Sequence, residues 1–365
     1  PIGLQMLRAS CNWMGALGII VIALNFLPTW QFVGRSLVIT EIAGPGFMKI
    51  NTTFRKTYRR ALAIYISLTA IQYALLRLSG LNKSDSLITS LSNISTAGLM
   101  NLNNGNIISY GLAVKIIITT FAFMSSLNFS ILLLATMRKF RELTEGPELK
   151  FHSGRILTTA IFITGILYIT YNRSISSLKE FGNVLMQVNS YFTTAGYQIS
   201  DTSRWPGAAC AIILVQMFIG ACAISSGGGI KAARTIIALK TASRTLYHHI
   251  HKNAIRPIKY AGTPLKLNTL LRCNLYIVMF VVTFLFGALI LSINLDLNTA
   301  LSTSLAMLTN TGTYINQTAT TGILDDYSVV SKITMMFLML AGRLEIYPII
   351  LIFFKSFWKN DNDFF

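Results

Sequence analysis

Charge is scarce in this chain. Asp, Glu, Lys and Arg make up 12% of its 365 residues, about half the share in soluble globular domains. That excludes an ordinary soluble fold, and the mean hydropathy of +0.56 agrees. Acidic residues are scarcest: 13 Asp and Glu stand against 31 Lys and Arg, a formal net charge of +18. Such a balance would suit nucleic acid if the basic residues shared one soluble face. They fall instead in a few loops between apolar runs, so no nucleic-acid partner is expected and membrane topology is. Cysteine is limited to Cys11, Cys210, Cys222 and Cys273, all in or beside apolar segments without paired spacing. Neither a disulfide framework nor a zinc site follows. No signal peptide is visible, and the chain opens on Pro1 rather than Met, so a start further upstream is expected.

What is present is a series of apolar runs near the length of a bilayer: 13–30, 61–79, 111–137, 155–171, 207–224, 231–242 (short), 270–293 and 329–357. The chain therefore reads as an all-α multi-pass membrane protein. Alternate connections differ sharply in basic residues. Segments 32–60, 138–155 and 240–272 hold 18 Lys and Arg, whereas 81–114, 172–205 and 293–331 hold 4. The rule that basic loops stay inside places the first three, with the C-terminus, in the cytoplasm.

The three outer segments are too long for hairpin turns. Each contains a half-length apolar stretch: SDSLITSLSNI (84–94), SISSLKEFGNVLMQVNSYF (174–192) and LDLNTALSTSLAML (295–308). These are too short to cross a hydrocarbon core of about 30 Å. They open on Ser84/Asp85, Ser174/Ser176 and Asp296/Asn298, residue types that cap helix N-termini. A glycine follows each, in STAGLMN (95–101), TTAGYQI (193–199) and TNTGTYI (309–315). Span, half-helix, glycine loop, span thus recurs three times. It reads as re-entrant loops, tolerated in a bilayer only where backbone lines a watery path.

A half-helix entering from outside turns its partially negative C-terminus toward the membrane centre. Carbonyl oxygens in a loop freed by glycine can replace the hydration shell of a monovalent cation. The three loops contain no Asp or Glu. A second break, GACAISSGGGIKAAR (220–234), puts Gly227, Gly228 and Gly229 inside the apolar run 207–242. Each glycine costs a helix about 1 kcal/mol relative to Ala. The break reads either as a constriction lining an aqueous cavity or as small residues packing on another helix. The spacing does not fit a phosphate-binding loop.

Taken together, these stretches resemble the Trk/Ktr/HKT superfamily of potassium transporters, nearest its bacterial TrkH branch. The residues that carry the resemblance are NWMGALGIIVIALNFLP (12–28), EIAGPGFMK (41–49), YFTTAGYQISDTSRWP (191–206), SSGGGIKAAR (225–234) and AGRLEIYPIILIF (341–353). It implies four channel-like repeats around one pore, of which this chain would hold the end of the first (1–60), then 61–154, 155–269 and 270–365. It implies a K⁺ filter at Thr96, Ala97 and Gly98; at Thr194, Ala195 and Gly196; and at Asn310, Thr311 and Gly312. It implies a gate at Ser225, Ser226, Gly227, Gly228, Gly229 and Lys231 with Arg343. A homodimer, a cytosolic nucleotide-binding regulatory subunit of the TrkA kind, and no cofactor are also implied. Where relatives tend to have further glycines this loop has Ala221 and Ile224, which would make it stiffer.

Arg343 and Glu345 fall mid-span, where ionisable groups are costly and are functional candidates. Two residues apart, they face different sides of a helix and cannot be each other's main partner. A permanent cation at that depth needs carbonyls, a carboxylate or water, and loop 225–230 offers carbonyls without helical partners; contact between them is expected. A buried structural pair with another helix is the other reading. His248 and His251 could share a helix face, but lack a nearby Cys or carboxylate to complete a metal site. The histidines all lie in segments read as cytoplasmic and the membrane carboxylates do not pair, so no enzyme is expected. An alternating-access symporter or a Na⁺-permeable relative remains open; the repeats keep one orientation, unlike inverted-repeat transporters.

Overall fold

The computed structural model describes residues 2–26, 54–98, 107, 110–129, 131–132, 146–171, 177–202, 205–251, 257–260, 263–312, 327–344, 346–347 and 349. Among them run α1 (Ile2–Phe26), α2 (Phe54–Leu78), α3 (Lys83–Ile94), α4 (Leu112–Ser126), α5 (Pro147–Thr170), α6 (Ser177–Phe192), α7 (Gly207–Met217) and α8 (Ala232–Ile250). A two-stranded hairpin, β1 (Lys259–Tyr260) and β2 (Thr263–Pro264), precedes α9 (Leu267–Leu291), α10 (Leu297–Leu308) and α11 (Val329–Leu344). Stretches Arg59–Leu78, Pro147–Thr170 and Leu267–Leu291 are long and apolar enough to cross a membrane. Tall apolar side chains such as Ile161, Phe162 and Ile169 on α5, and Val278, Val282 and Phe286 on α9, face outward.

The interior is the polar part. Ser86, Thr89, Ser90, Ser92 and Asn93 of α3 are buried, as are Gln187, Asn189 and Ser190 of α6 and Ser302, Thr303 and Ser304 of α10. This inverts the pattern of a soluble protein and fits a bundle whose outer solvent is lipid. At 1.5 Å per residue, the twelve residues of α3 and of α10 reach about 18 Å, so neither can cross the bilayer.

The three short helices occupy equivalent places. Each packs on the long helix before it: α3 on α2, α6 on α5, α10 on α9. Each also meets the next helix in sequence, α4, α7 and α11 respectively. A helix of the preceding unit closes the third side: α1 against α3, α4 against α6, α7 against α10. Polar side chains fix the contacts, with Asn93 Nδ2 donating to the Ile118 carbonyl at 2.9 Å and Asn189 Nδ2 to that of Thr119 at 3.1 Å. Ser304 Oγ donates to the Phe284 carbonyl at 2.9 Å.

Several boundaries differ from those expected. The run 111–137 does not stay helical: α4 stops at Ser126 and Leu127 is extended. Apolar content cannot reveal that stop, because what ends the helix is a partner elsewhere in the chain. Helix α5 begins at Pro147, eight residues before the expected span, with proline at its first turn. Asn82, not Ser84, occupies the N-cap of α3, and Asp85 is buried in the first turn. Asp296 caps α10 by position, without a side-chain hydrogen bond. Ser174 and Ser176 lie outside the described residues.

Helix α11 crosses α10 so closely that a Cβ on Gly342 would overlap the Leu308 carbonyl oxygen. Gly165 on α5 has open space around it. We expect Gly342→Leu to destabilise the detergent-solubilised protein by about 1–3 kcal/mol or more, the scale of overpacking, and Gly165→Leu to be nearly silent. Thermal unfolding of the two variants side by side checks this; equal losses would contradict the crossing.

Candidate ion path

All three short helices end in the same way. In α3 the N–H of Ser95 bonds to Leu91 O, Thr96 to Asn93 O, and Ala97 to Ser92 O. In α6 the pairs are Thr193 to Asn189 O, Thr194 to Tyr191 O, and Ala195 to Ser190 O. In α10 they are Thr309 to Leu305 O, Asn310 to Met307 O, and Thr311 to Ala306 O. This is the pattern of a Schellman-type C-cap, whose turning residue is left-handed and usually glycine. Here that residue is Thr96, Thr194 or Asn310, at φ of 47°, 56° and 57°. Two residues on, Gly98, Gly196 and Gly312 are also left-handed, at 76°, 72° and 73°.

Sequence reasoning assigned positive φ to the glycines alone and missed the Thr and Asn positions. Left-handed and ordinary φ therefore alternate along each loop. The three loops also meet. A Cβ on Gly98 would stand 2.5 Å from Asn310 O. One on Gly196 would overlap the carbonyl oxygens of Gly98 and Thr311, and one on Gly312 the carbonyl of Gly98. Three loops that are far apart in sequence thus bring the backbone oxygens of Gly98, Asn310 and Thr311 to one place, and Ala195, Thr194 and Thr311 are fully buried there.

Below them lies the broken span. Helix α7 ends at Met217 and α8 starts at Ala232. The stem is paired: Gly220 N to Ile230 O at 2.9 Å, Ile230 N to Phe218 O at 3.0 Å, and Ala232 N to Ala221 O at 3.0 Å. One limb is zipped to the end of α4, with Cys222 N on Ser126 O at 3.1 Å and Phe129 N on Ile224 O at 3.0 Å. Ser226 Oγ donates to Ile94 O and Ser125 O at 3.3 and 3.2 Å. Ser225 Oγ closes on Cys222 O at 2.5 Å.

The tip, 225–229, is held by side chains. Gly228 N donates to Thr194 Oγ1 at 3.0 Å, a direct bond between this loop and one of the three above it. Lys231 Nζ donates to the carbonyls of Ser225 and Gly227. Arg343 Nη1 donates to Ser226 O at 2.6 Å, so the expected contact of this cation with the loop carbonyls is present. Gly228 could carry no side chain, because a Cβ there would overlap Thr309 O. Ala221 and Ile224 do add bulk: the Ala221 methyl fills the space over Gly227, and Ile224 is left-handed at φ 49°. A cavity of about 240 Å³ adjoins the loops, lined by Cys11, Asn12, Gly15, Ser95, Thr96, Ala97, Asn310 and Arg343.

One face of α5 supports the stem, and sequence reasoning missed it. Arg155 donates to Ile219 O and, at 3.0 Å, to Gly220 O, with its guanidinium 4.3 Å from the Phe192 ring centre. His152 Nε2 lies 3.2 Å from Ser126 Oγ. Glu148 Oε2 accepts from Ala223 N at 3.1 Å. Counting Lys and Arg put 138–155 wholly in a loop. The signal available was the 148, 152, 155 spacing on one helical face after Pro147.

Glu345 lies outside the described residues. His251 stacks on Tyr247, with ring centres 4.5 Å apart, and the described residues contain no cluster of metal-ligating side chains.

Replacing Thr194 with the isosteric Val removes the acceptor for Gly228 N. A buried N–H left unpaired costs about 1–3 kcal/mol, so amide exchange at Gly228 should quicken about tenfold or more, with Gly220 and Ile230 in the stem unchanged. Hydrogen-exchange mass spectrometry across 218–232 checks this. An unchanged tip would contradict the bond.

The sequence matches the TrkH family, described as "Cation transport protein", over residues 1–361. It is 28% identical to the Trk system potassium uptake protein TrkH of Halomonas elongata over 368 residues, covering 99% of this chain and 74% of that protein. TrkH of Escherichia coli K12 is 27% identical over 366 residues, with the same coverage. The crystal structure of the potassium transporter TrkH from Vibrio parahaemolyticus superposes with a TM-score of 0.83 at 23% identity, covering 98% of this chain and 74% of that one. This last likeness is one of fold. The chain is a multi-pass membrane protein that belongs to the TrkH family of cation transport proteins.

Proposed function

We propose that this protein takes up K⁺ across the bacterial inner membrane, through a filter of backbone carbonyls with loop 225–229 as its gate. The observation that carries the reading is the convergence of three identically built loops, each with two left-handed residues and each at the C-terminus of a short helix. Three helix C-termini bring partial negative charge to the meeting point. Carbonyls and Thr hydroxyls supply neutral oxygens, so a monovalent cation can be held without a carboxylate that would bind it too tightly to release. The K⁺ assignment comes from the relatives, which are named as potassium uptake proteins.

In this reading the filter comprises residues 96–98, 194–196 and 310–312. The tip at Ser225, Ser226 and Gly227–Gly229 crosses the path beneath them, held by Lys231 and Arg343, whose charges repel a descending cation while they remain in place. Segments 32–60, 138–155 and 240–272 and the C-terminus face the cytoplasm. The protein works as a homodimer with a cytosolic nucleotide-binding regulatory subunit at that face.

Two expected outcomes test this. Gly196→Val forces a β-branched residue into φ 72° and into the Gly98 and Thr311 carbonyls. It should abolish K⁺ flux into vesicles, or its preference over Na⁺, with insertion intact. Arg343→Ala should raise passive flux, as should shortening Gly227–Gly229, and the two should not add, because each removes the same obstruction. Unchanged selectivity in the first variant would remove loop 194–196 from the filter. Unchanged or lower flux in the second would leave Arg343 as a structural charge.

A further inference from the structure

The carboxylate of Glu148 gathers donors from three separate segments. Tyr260 donates its hydroxyl to Oε1 at 2.6 Å, Ala223 its backbone N–H to Oε2 at 3.1 Å, and Asn128 its amide to Oε2 at 3.4 Å. Tyr260 belongs to the hairpin after α8, Ala223 to the limb of the intramembrane loop, and Asn128 to the turn that ends α4. Glu148 and Ala223 are buried, at 5% and 1% exposure, and Tyr260 at 2%.

The apolar contacts follow the same line. Ile258 and Tyr260 pack in one cluster with Ala223, Ala233, Ile236 and Ile237, so the hairpin lies against both the loop limb and the start of α8. Lys240 of α8 also holds the hairpin, donating to the Lys259 carbonyl at 2.9 Å.

The chemistry of the node is specific. Ala223 N–H lies between two neighbours whose backbones are engaged elsewhere, Cys222 through its N–H on Ser126 and Ile224 through its carbonyl on Phe129. Its own partner is the Glu148 carboxylate. A carboxylate offers two acceptor oxygens, so it can take the N–H on one and the O–H on the other. Burial beside that carboxylate pushes the Tyr260 phenol well above its ordinary pKa, so the hydroxyl keeps its proton and remains the donor.

We propose that Glu148 is a positioning residue that ties the intramembrane loop to the paired strands β1 and β2, with Tyr260 orienting its carboxylate. Displacement of the hairpin withdraws the Tyr260 hydroxyl, frees the carboxylate to turn, and releases Ala223 and the limb that leads into Ile224–Gly229. This rests on the reading of that loop as the gate. It adds where the loop is held, and by which cytoplasm-facing element.

The test uses the full chain in proteoliposomes, with Cys11, Cys210 and Cys273 replaced by Ser. Cys222, fully buried in the same limb, is left as the reporter. Both its maleimide labelling rate and passive K⁺ flux are measured. Tyr260→Phe removes one hydroxyl and should speed labelling about tenfold, with flux rising in parallel. Glu148→Gln keeps one acceptor oxygen for Ala223 and can donate to the Tyr260 oxygen, so it should retain most of the wild-type protection. Glu148→Leu should lose it, and Tyr260→Phe should then add nothing.

Unchanged labelling in Tyr260→Phe, or additive effects of Tyr260→Phe and Glu148→Leu, would overturn the proposal. If Glu148→Leu fails to insert, Tyr260→Phe alone decides. Arg343→Ala separates the two readings. Raised flux there without any effect of Tyr260→Phe leaves the gate and removes the tether. Faster Cys222 labelling with constant flux in all variants keeps the tether and removes the gate.

Discussion

Backbone that is not helical cannot stay at membrane depth unless each N–H and C=O finds a partner or water, at a cost of several kcal/mol for each that does not. The rest of this structure depends on that constraint. Among the described residues, the irregular stretches of the interior include the three capped loops, the turn at 127–129 that ends α4, and the broken span 218–231, and they solve the problem largely for one another. Ser126 and Phe129, where α4 gives up its helix, pair with Cys222 and Ile224. Gly228 pairs with Thr194. Carbonyls that face the other way are taken by cations: Ile219 and Gly220 by Arg155, Ser225 and Gly227 by Lys231, Ser226 by Arg343. The positive charges of Arg155, Lys231 and Arg343 are tolerated at this depth because they answer the broken backbone.

The same constraint explains where strain collects. Thr96, Thr194, Asn310 and Ile224 are left-handed without being glycine, at about 1–2 kcal/mol each, and three of the four are β-branched. Such residues persist only where the surroundings over-determine them. Here helix-capping bonds fix the first three, and the Phe129 bond and the stem fix Ile224. The cost falls where carbonyls must be turned out of a helical direction, which is what a cation needs of them.

The coarse plan was legible in the sequence because it follows from length and charge. Twelve-residue apolar stretches bounded by uncharged loops cannot span a bilayer, and α3 and α10 are such helices. Three glycines in an apolar run mark a break, and the break is there between Met217 and Ala232. Arg343 at the loop was legible as well, since a permanent cation at depth must seek carbonyls. The end of α4 was not, because Leu127 leaves the helix for hydrogen bonds made about 95 residues away in sequence. Glu148, His152 and Arg155 were hidden by the counting of basic residues, which treats a charged stretch as solvated loop and cannot see that its ions face inward. The left-handed Thr and Asn positions were hidden because their conformation is imposed by the cap and not by their own preference.

The central claim is that backbone carbonyls of residues 96–98, 194–196 and 310–312 coordinate the transported cation. The most direct measurement is anomalous scattering from crystals of the protein equilibrated with Tl⁺ or Rb⁺ in place of K⁺. The account predicts ion density on the axis where these loops converge, surrounded by their backbone oxygens and lost in Gly196→Val. Ion density held by carboxylates away from the three loops, with their meeting point empty, would contradict it.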